Sequence, residues 1–208
     1  MILILYFFAL LILLLFGFQG FIMVYYHFKY RPSEEKADLT LTNYPTVTIQ
    51  LPIYNELYVV GRLIRAACGI KYPKEKLEIQ VLDDSTDETT AVAAKIVQEM
   101  TSRGFEIKHI QRGTREGYKA GALREGLKIA RGDFIAIFDA DYFPREDFID
   151  RTIPYFLADP KIGMVQTRWV HLNAEYSLLT RAQAMALDGH FVIEQAVRNR
   201  AGFFINFN

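Results

Sequence analysis

The first 28 residues form an apolar run without a single charged side chain. Its only polar interruptions are Gln19 and His27. As an α-helix, the run is long enough to cross a hydrocarbon core of about 30 Å. Tyr25, Tyr26 and Tyr30 gather at its end, as in the aromatic belts at membrane interfaces. The pattern predicts a transmembrane helix over residues 1–28.

The charges beside this run predict its orientation. Lys29 and Arg31 follow it directly, and nothing basic precedes it, so the positive-inside rule places the following residues in the cytoplasm. A cleaved signal peptide is the alternative, but the run lacks a basic start and an Ala-x-Ala-like cleavage site. Residues 29–45, with their charges, Pro32 and Pro45, are interpreted as a juxtamembrane linker.

From residue 46 to residue 208, strand-like and helix-like patterns alternate and predict one domain. The predicted strands are Thr46–Ile53, Leu77–Leu82, Phe105–Ile110, Asp133–Phe138 and Ile162–Val170, with a further strand-like start at Phe203–Phe207. The predicted helices run from Asn55 or Glu56 to Cys68 and over Asp87–Ser102, Gly117–Ala130 and Glu175–Arg200. Apolar strands between helices are typical of an α/β fold, a mostly parallel sheet with helices on both faces.

Polar clusters follow three of these strands. Asn55 and Glu56 come after the first strand, Asp83 and Asp84 after the second, and Asp139 and Asp141 after the fourth. In open parallel sheets, ligands bind outside the carboxyl ends of the strands. The sequence therefore predicts a binding site at this edge of the sheet.

Charge and cysteine content narrow the function classes. Lysine plus arginine and aspartate plus glutamate each number 24, so the chain has no basic excess and nucleic-acid binding is not expected. Cys68 is the only cysteine, which excludes an internal disulfide.

Asp139 and Asp141 are spaced so that both carboxylates point to the same side of an extended chain. A hard divalent cation, Mg2+ or Mn2+, would offset their repulsion and neutralise a diphosphate leaving group. Capping of the next helix by Asp141 is an equally open alternative.

The other candidate residues suit a nucleotide. Carboxylates at Asp83 and Asp84 would accept hydrogen bonds from a base and a ribose, although turn and capping roles are the alternative, which we assign to Asp87. Lys119 opens a helix beside glycines, a position that suits phosphate oxygens. The sequence has neither GxxxxGK[ST] nor GxGxxG, which disfavours P-loop ATPases and dinucleotide dehydrogenases.

With these clusters in view, residues 47–208 resemble the inverting family 2 glycosyltransferases, which have the A-type nucleotide-binding fold. The processive cellulose-synthase-like group is the most similar, especially glucomannan (β-mannan) synthases and their bacterial relatives. Eight strings carry the resemblance: QLPIYNE, AACGIKYP, IQVLDDSTDETT, GYKAGALREGLK, FDADYFPREDF, RTIPYF, VQTRWVHLNAE and LLTRAQAMALDGHFVIEQ.

The resemblance implies a role for each matching residue. Tyr54 and Glu56 would lie beside the nucleotide. Asp84 would contact the base with support from Asp83. Lys119 would hold the diphosphate, Asp139 would contact the donor, and Asp141 would bind the metal. Gln166 and Arg168 would lie on the acceptor side. The implied reaction moves a hexose from a UDP- or GDP-sugar to a growing β-glycan with inversion.

The family pattern continues beyond this sequence. Its acidic base motif and its Gln-x-x-Arg-Trp acceptor motif are not among the 208 residues. We therefore expect a fragment that binds donor and metal, with the catalytic base beyond Asn208. Alternatives are a non-processive transferase that loads one sugar onto a lipid, a non-catalytic nucleotide-sugar binding membrane protein and, more weakly, a nucleotidyltransferase.

Overall fold

The computed structural model describes residues 1–30, 41 and 43–203. They fall into two compact units. One spans residues 38–165, and the other combines residues 1–37 with 166–208.

The helices and strands alternate along residues 47–158. The elements of this unit are β1 (Val47–Ile53), α2 (Val60–Cys68), β2 (Leu77–Asp83), α3 (Thr89–Ser102), β3 (Glu106–Gln111), α4 (Tyr118–Leu127), β4 (Phe134–Ile137) and α5 (Phe148–Ala158), with a short 3-10 turn at Lys74–Lys76. The other unit holds α1 (Ile2–Lys29), α6 (Leu178–Asp188), a π-helical segment (Gly189–Gln195) and α7 (Ala196–Arg200).

All four strands of the described sheet are parallel and lie in the order β3-β2-β1-β4. Val47 of β1 pairs with Leu77 of β2 on one side and with Phe134 of β4 on the other. The predicted α/β class is confirmed, as are the first four predicted strands within one or two residues. Since the strands are parallel, their carboxyl ends share one edge.

One face of the sheet is an apolar core. Ile49 and Leu51 of β1 lie in the same buried cluster as Leu63 and Ile64 of α2 and Ile96 of α3. At about 25 cal/mol per Å² of apolar surface removed from water, this packing is the main force that holds the strands and helices together.

The other face carries buried polar pairs that the apolar strand pattern did not reveal. Thr48 and Glu78 are register partners, and the Thr48 hydroxyl donates to Glu78 over 2.8 Å. Lys108 Nζ and the Arg131 backbone N–H also donate to Glu78. Burial raises the pKa of Glu78, but these hydrogen bonds outweigh it and the net shift is downward. The pairs fix the register because a slip of one residue would leave buried polar groups unpaired.

Two predictions about this region were wrong. Residues 162–170 form no strand; Met164 and Val170 are exposed there, and the boundary between the two units falls at Gln166. The first helix of the domain begins at Val60 rather than at Asn55 or Glu56, because Asn55 has a φ of 55°, outside helical geometry. The strand-like start predicted for Phe203–Phe207 lies outside the described residues beyond Phe203.

The unit that holds α1 has its own internal contacts. α1 is a 28-residue helix with no buried residue, and its most apolar window has a mean hydropathy of 2.7. Among the described residues it is the one helix whose length and composition suit a membrane span; a signal sequence shares both features. Its end meets α7, where Arg200 donates to the Tyr30 carbonyl over 3.2 Å. The predicted helix Glu175–Arg200 is confirmed from Leu178, where Ser177 provides a capping box with Thr180.

Candidate active site

A cleft of about 420 Å³ opens at the carboxyl edge of the sheet. Six of the residues predicted from sequence line it: Tyr54, Glu56, Asp84, Lys119, Asp139 and Asp141. Arg115 also contributes to its wall. The segments after β1, β2 and β4 and the start of α4 therefore converge as the strand order requires.

The loops after β1 and β2 are joined by hydrogen bonds. The Asn55 backbone N–H donates to Ser85 Oγ over 2.9 Å, and the Thr86 N–H donates to Asn55 Oδ1 over 2.9 Å. This pairing explains the left-handed backbone of Asn55, a conformation that asparagine tolerates better than most residues. It sets the positions of Tyr54 and Asp84 on either side.

Asp83 is the predicted donor-site residue that does not line the cleft. Its side chain is fully buried and accepts hydrogen bonds from the Ser85 N–H and from His109 over 2.8 Å each. Burial raises the pKa of Asp83, but these bonds lower it more, to about 2. Asp83 thus supports the loop behind Asp84, and His109 holds the Asp83 carboxylate in place.

Asp84 is held by a residue that sequence analysis missed. Arg112 Nε donates to Asp84 Oδ1 over 2.9 Å, and Nη2 donates to Asp84 Oδ2. Hydrogen bonding to Asp84 raises the pKa of the Arg112 guanidinium further above its usual range. The available signal was the basic stretch 112–119, which contains two arginines before Lys119.

In the wall of the cleft, the guanidinium of Arg115 stacks on the ring of Tyr54. The Arg115 guanidinium lies 3.3 Å from the centre of the Tyr54 ring and 5.1 Å from that of Tyr118. The attraction between the guanidinium and the faces of these rings holds a positive charge at the wall of the cleft. Arg115, like Arg112, was not predicted.

The two carboxylates that follow β4, those of Asp139 and Asp141, differ in their partners. Asp139 forms an ion pair with Lys119, whereas no hydrogen bond or ion pair from the described part of the chain reaches the exposed Asp141 carboxylate. Burial and the charges of Asp139 and Asp141 raise the pKa of the nearby Tyr142 hydroxyl. Because Lys119 pairs with Asp139 alone, the exposed Asp141 carboxylate is available to a cation.

Capping explains Asp87 but not Asp141. Asp87 Oδ1 accepts from the Thr89 N–H at the start of α3, as predicted. α5 begins at Phe148 and has Asp147 in the N-cap position, so Asp141 does not cap that helix.

The two residues predicted on the acceptor side lie in the unit that contains α1. Gln166 and Arg168 are both exposed, and Arg168 forms an ion pair with Asp188 of α6.

A parallel sheet with an acidic cleft at its carboxyl edge is the arrangement of the A-type glycosyltransferase fold. The chain belongs to glycosyl transferase family 2, whose family model matches residues 48–206.

The curated relatives and solved structures agree with this assignment. Glucomannan 4-beta-mannosyltransferase 9 of Arabidopsis thaliana is 45% identical over 87% of this chain and 35% of the relative. Glucomannan 4-beta-mannosyltransferase 1 of Cyamopsis tetragonoloba is 44% identical over 79% of this chain and 32% of the relative. The chain thus spans about a third of the length of these relatives.

A solved structure shares the fold. The mannosyltransferase PcManGT from Pyrobaculum calidifontis, in complex with GDP-Man and Mn2+, matches 74% of this chain and 43% of that protein with a TM-score of 0.57 and 27% identity.

Proposed function

We propose that this chain is the donor-binding part of a membrane-bound hexosyltransferase that takes a sugar from a nucleotide diphosphate donor with inversion. The observation that carries the proposal is that six residues predicted from sequence, which lie in four separate segments of the chain, line one cleft. We favour mannose as the sugar, because the glucomannan 4-beta-mannosyltransferases and PcManGT carry that sugar in their names.

The nucleoside end of the donor lies between Tyr54, Glu56 and Asp84. Carboxylates at Glu56 and Asp84 accept hydrogen bonds from a base or a ribose, and the ring of Tyr54 offers a flat surface. Lys119 stands at the N-terminus of α4, where its ammonium and the helix dipole both attract phosphate oxygens.

The carboxylates of Asp139 and Asp141 fit a divalent cation that is shared with the donor. The described residues contain no group of three or more His, Cys, Asp or Glu that could hold a metal alone. Mg2+ in nucleotide sites is commonly held by one or two carboxylates together with substrate phosphates and water. We assign Asp141 as the direct ligand, because no described residue forms a hydrogen bond or ion pair with its carboxylate. PcManGT, which is 27% identical, was solved in complex with GDP-Man and Mn2+. When bound, Mg2+ or Mn2+ would stabilise the departing diphosphate.

The residues of the cleft bind and orient the donor, while the acceptor hydroxyl displaces the diphosphate at the anomeric carbon. A single displacement turns an α-linked donor into a β-linkage and needs a base for the hydroxyl proton. No described residue is assigned that role. A growing β-glycan is the acceptor, in keeping with the names of the plant relatives, with Gln166 and Arg168 on its side.

The direct test is binding of nucleotide sugars to the purified 208-residue chain in detergent micelles. We expect saturable binding of GDP-mannose or a UDP-hexose that strengthens when Mn2+ is added. Of the two nucleotide sugars, the one that binds more tightly identifies the nucleotide of the donor. Binding of neither donor, with or without Mn2+, would contradict the proposal.

The orientation proposal places α1 across the membrane and the domain after it in the cytoplasm, in line with Lys29 and Arg31 after the apolar run. Cys68 is buried, and burial raises its pKa to about 11, so it reacts slowly with maleimides. We therefore expect a Tyr58→Cys, Cys68→Ala variant, whose new thiol occupies a 95% exposed position, to resist an impermeant maleimide in intact cells. In permeabilised cells the same thiol should react readily with the maleimide. Equal labelling in intact cells would place the domain outside.

A further inference from the structure

Arg112 lies between the two halves of the cleft and has no role in the proposal above. It follows β3 directly, and its side chain is only 11% exposed. Both oxygens of Asp84, which is 6% exposed, accept hydrogen bonds from its guanidinium. A fork-shaped pairing of this kind fixes the plane of the carboxylate as well as its position.

The same guanidinium also holds the turn before α4. Nη1 donates to the Glu116 carbonyl over 2.9 Å, and Nη2 donates to the Tyr118 carbonyl over 3.0 Å. Within this turn Gly117 and Tyr118 have φ values of 69° and 49°. A left-handed conformation is unfavourable for tyrosine and persists where its surroundings impose it. Lys119, which is ion-paired with Asp139, follows immediately.

Close packing keeps this arrangement in one geometry. A Cβ atom on Gly121 would lie 2.0 Å from the Glu116 carbonyl oxygen and 2.6 Å from Arg112 Nη1. The Glu116 backbone leaves no room for a Cβ atom at Gly121, so the first turn of α4 packs directly against the turn whose carbonyls accept from Arg112.

Stability alone does not account for a largely buried ion pair. Desolvation offsets most of its Coulomb energy, and apolar replacements of such pairs are often neutral or stabilising. What Arg112 contributes is geometry: it connects the end of β2 to the start of α4.

We propose that Arg112 is a positioning residue that couples the base side of the cleft, through Asp84, to the phosphate side, through the turn that carries Lys119. The inference rests on the proposed function, because it takes Asp84 and Lys119 as the nucleoside and diphosphate contacts. It predicts that one side chain controls two subsites that separate ligands can probe.

The test uses two fragments of the donor as probes in the presence of Mn2+. One is the nucleoside, uridine or guanosine, whichever base the wild-type chain accepts, and the other is inorganic pyrophosphate. Both compete with a labelled nucleoside diphosphate. Asp84→Asn should weaken the binding of the nucleoside alone, and Lys119→Gln should weaken the binding of pyrophosphate alone. Arg112→Lys should weaken both by about tenfold, because an ammonium cannot reproduce the forked pairing or reach both carbonyls.

A matched control and a double variant separate positioning from loss of folding. Arg124→Lys alters an exposed arginine of α4 and should leave both affinities unchanged. The double variant combines Asp84→Asn with Arg112→Met. Since it leaves no buried carboxylate without a partner, it should unfold close to the wild-type temperature. It should nevertheless bind pyrophosphate about as weakly as Arg112→Lys.

The outcomes discriminate between the two proposals. Unchanged pyrophosphate affinity in both Arg112 variants would overturn the coupling and leave Arg112 as a support for Asp84 alone. A wild-type chain that binds neither fragment nor the intact nucleoside diphosphate would overturn the proposed function, and this inference with it.

Discussion

Replacing Asp141 with asparagine is expected to lower the Mn2+-dependent affinity for a nucleoside diphosphate by about 10- to 100-fold, a range already seen when only the groups that support metal ligands are altered. The amide keeps the size of the side chain but removes the charge that a hard cation requires. Because the exposed Asp141 carboxylate makes no hydrogen bond or ion pair with the described residues, the fold should not depend on it. Isothermal titration with and without Mn2+ measures the effect.

The metal dependence is the informative part of that experiment. Without Mn2+, Asp141→Asn should bind at least as tightly as the wild type, since the contacts of Tyr54, Glu56 and Asp84 remain and one carboxylate that repels the diphosphate is removed. Glu88→Gln, which neutralises an exposed carboxylate that does not line the cleft, should behave as the wild type throughout. If Mn2+ strengthens binding equally in Asp141→Asn and Glu88→Gln, Asp141 is not a metal ligand.

The largest expected loss of stability comes from Gly132→Ala. A Cβ atom at Gly132 would lie 2.3 Å from the Thr48 nitrogen and 2.7 Å from the Val47 carbonyl carbon. Both are backbone atoms of β1, so no side-chain rotation relieves the overlap. The Gly132 N–H also donates to Thr48 Oγ1 over 2.9 Å, a bond that would be displaced. We expect destabilisation by about 3 kcal/mol, at the upper end for overpacked sites.

Thermal unfolding of the chain in micelles measures this loss. For a domain of this size, about 3 kcal/mol lowers the midpoint by roughly 6–12 °C. Gly113→Ala is the matched control, because no atom lies within 4 Å of its added Cβ. Its midpoint should stay within the range of about 0.5 kcal/mol that is normal for surface changes. Equal midpoints for the two variants would contradict the close packing of β1 on Gly132.

The polar residues at the carboxyl edge of the sheet could be predicted from sequence because two regularities act together. Apolar runs such as Leu77–Leu82 identify buried parallel strands, and a polar residue after each run marks its carboxyl end. Parallel pairing then brings those ends together without knowledge of any side-chain contact. This is why Glu56, Asp84 and Asp139 were found from the strand pattern and line one cleft.

The contacts that organise the cleft could not be found in that way. Arg112 and Asp84 are 28 positions apart, and their pairing depends on how the loop after β3 folds back. Asp83 and its neighbour Asp84 likewise have different partners, His109 and Arg112, since successive residues at a strand end point in opposite directions. Adjacent carboxylates with the same sequence context therefore have different surroundings.

The wrong strand over residues 162–170 has a different cause. Its apolar and β-branched residues favour a strand, but composition alone does not provide a neighbouring strand for the backbone to pair with. Met164 and Val170 are exposed instead of covered. The late start of α2 at Val60 similarly follows from the hydrogen bonds of Asn55 to the loop after β2, a partner that lies 30 residues away.

The central claim is that the cleft at the carboxyl edge of the sheet holds the nucleotide. The most direct test is photolabelling of the wild-type chain with azido-substituted GDP-mannose and UDP-glucose, followed by mass spectrometry of the labelled peptides. We predict Mn2+-dependent label on peptides that contain Tyr54 or Asp84, and competition by the unmodified donor. Label that concentrates instead on the groove between α2 and α3, around Tyr58 and Lys95, would contradict the account.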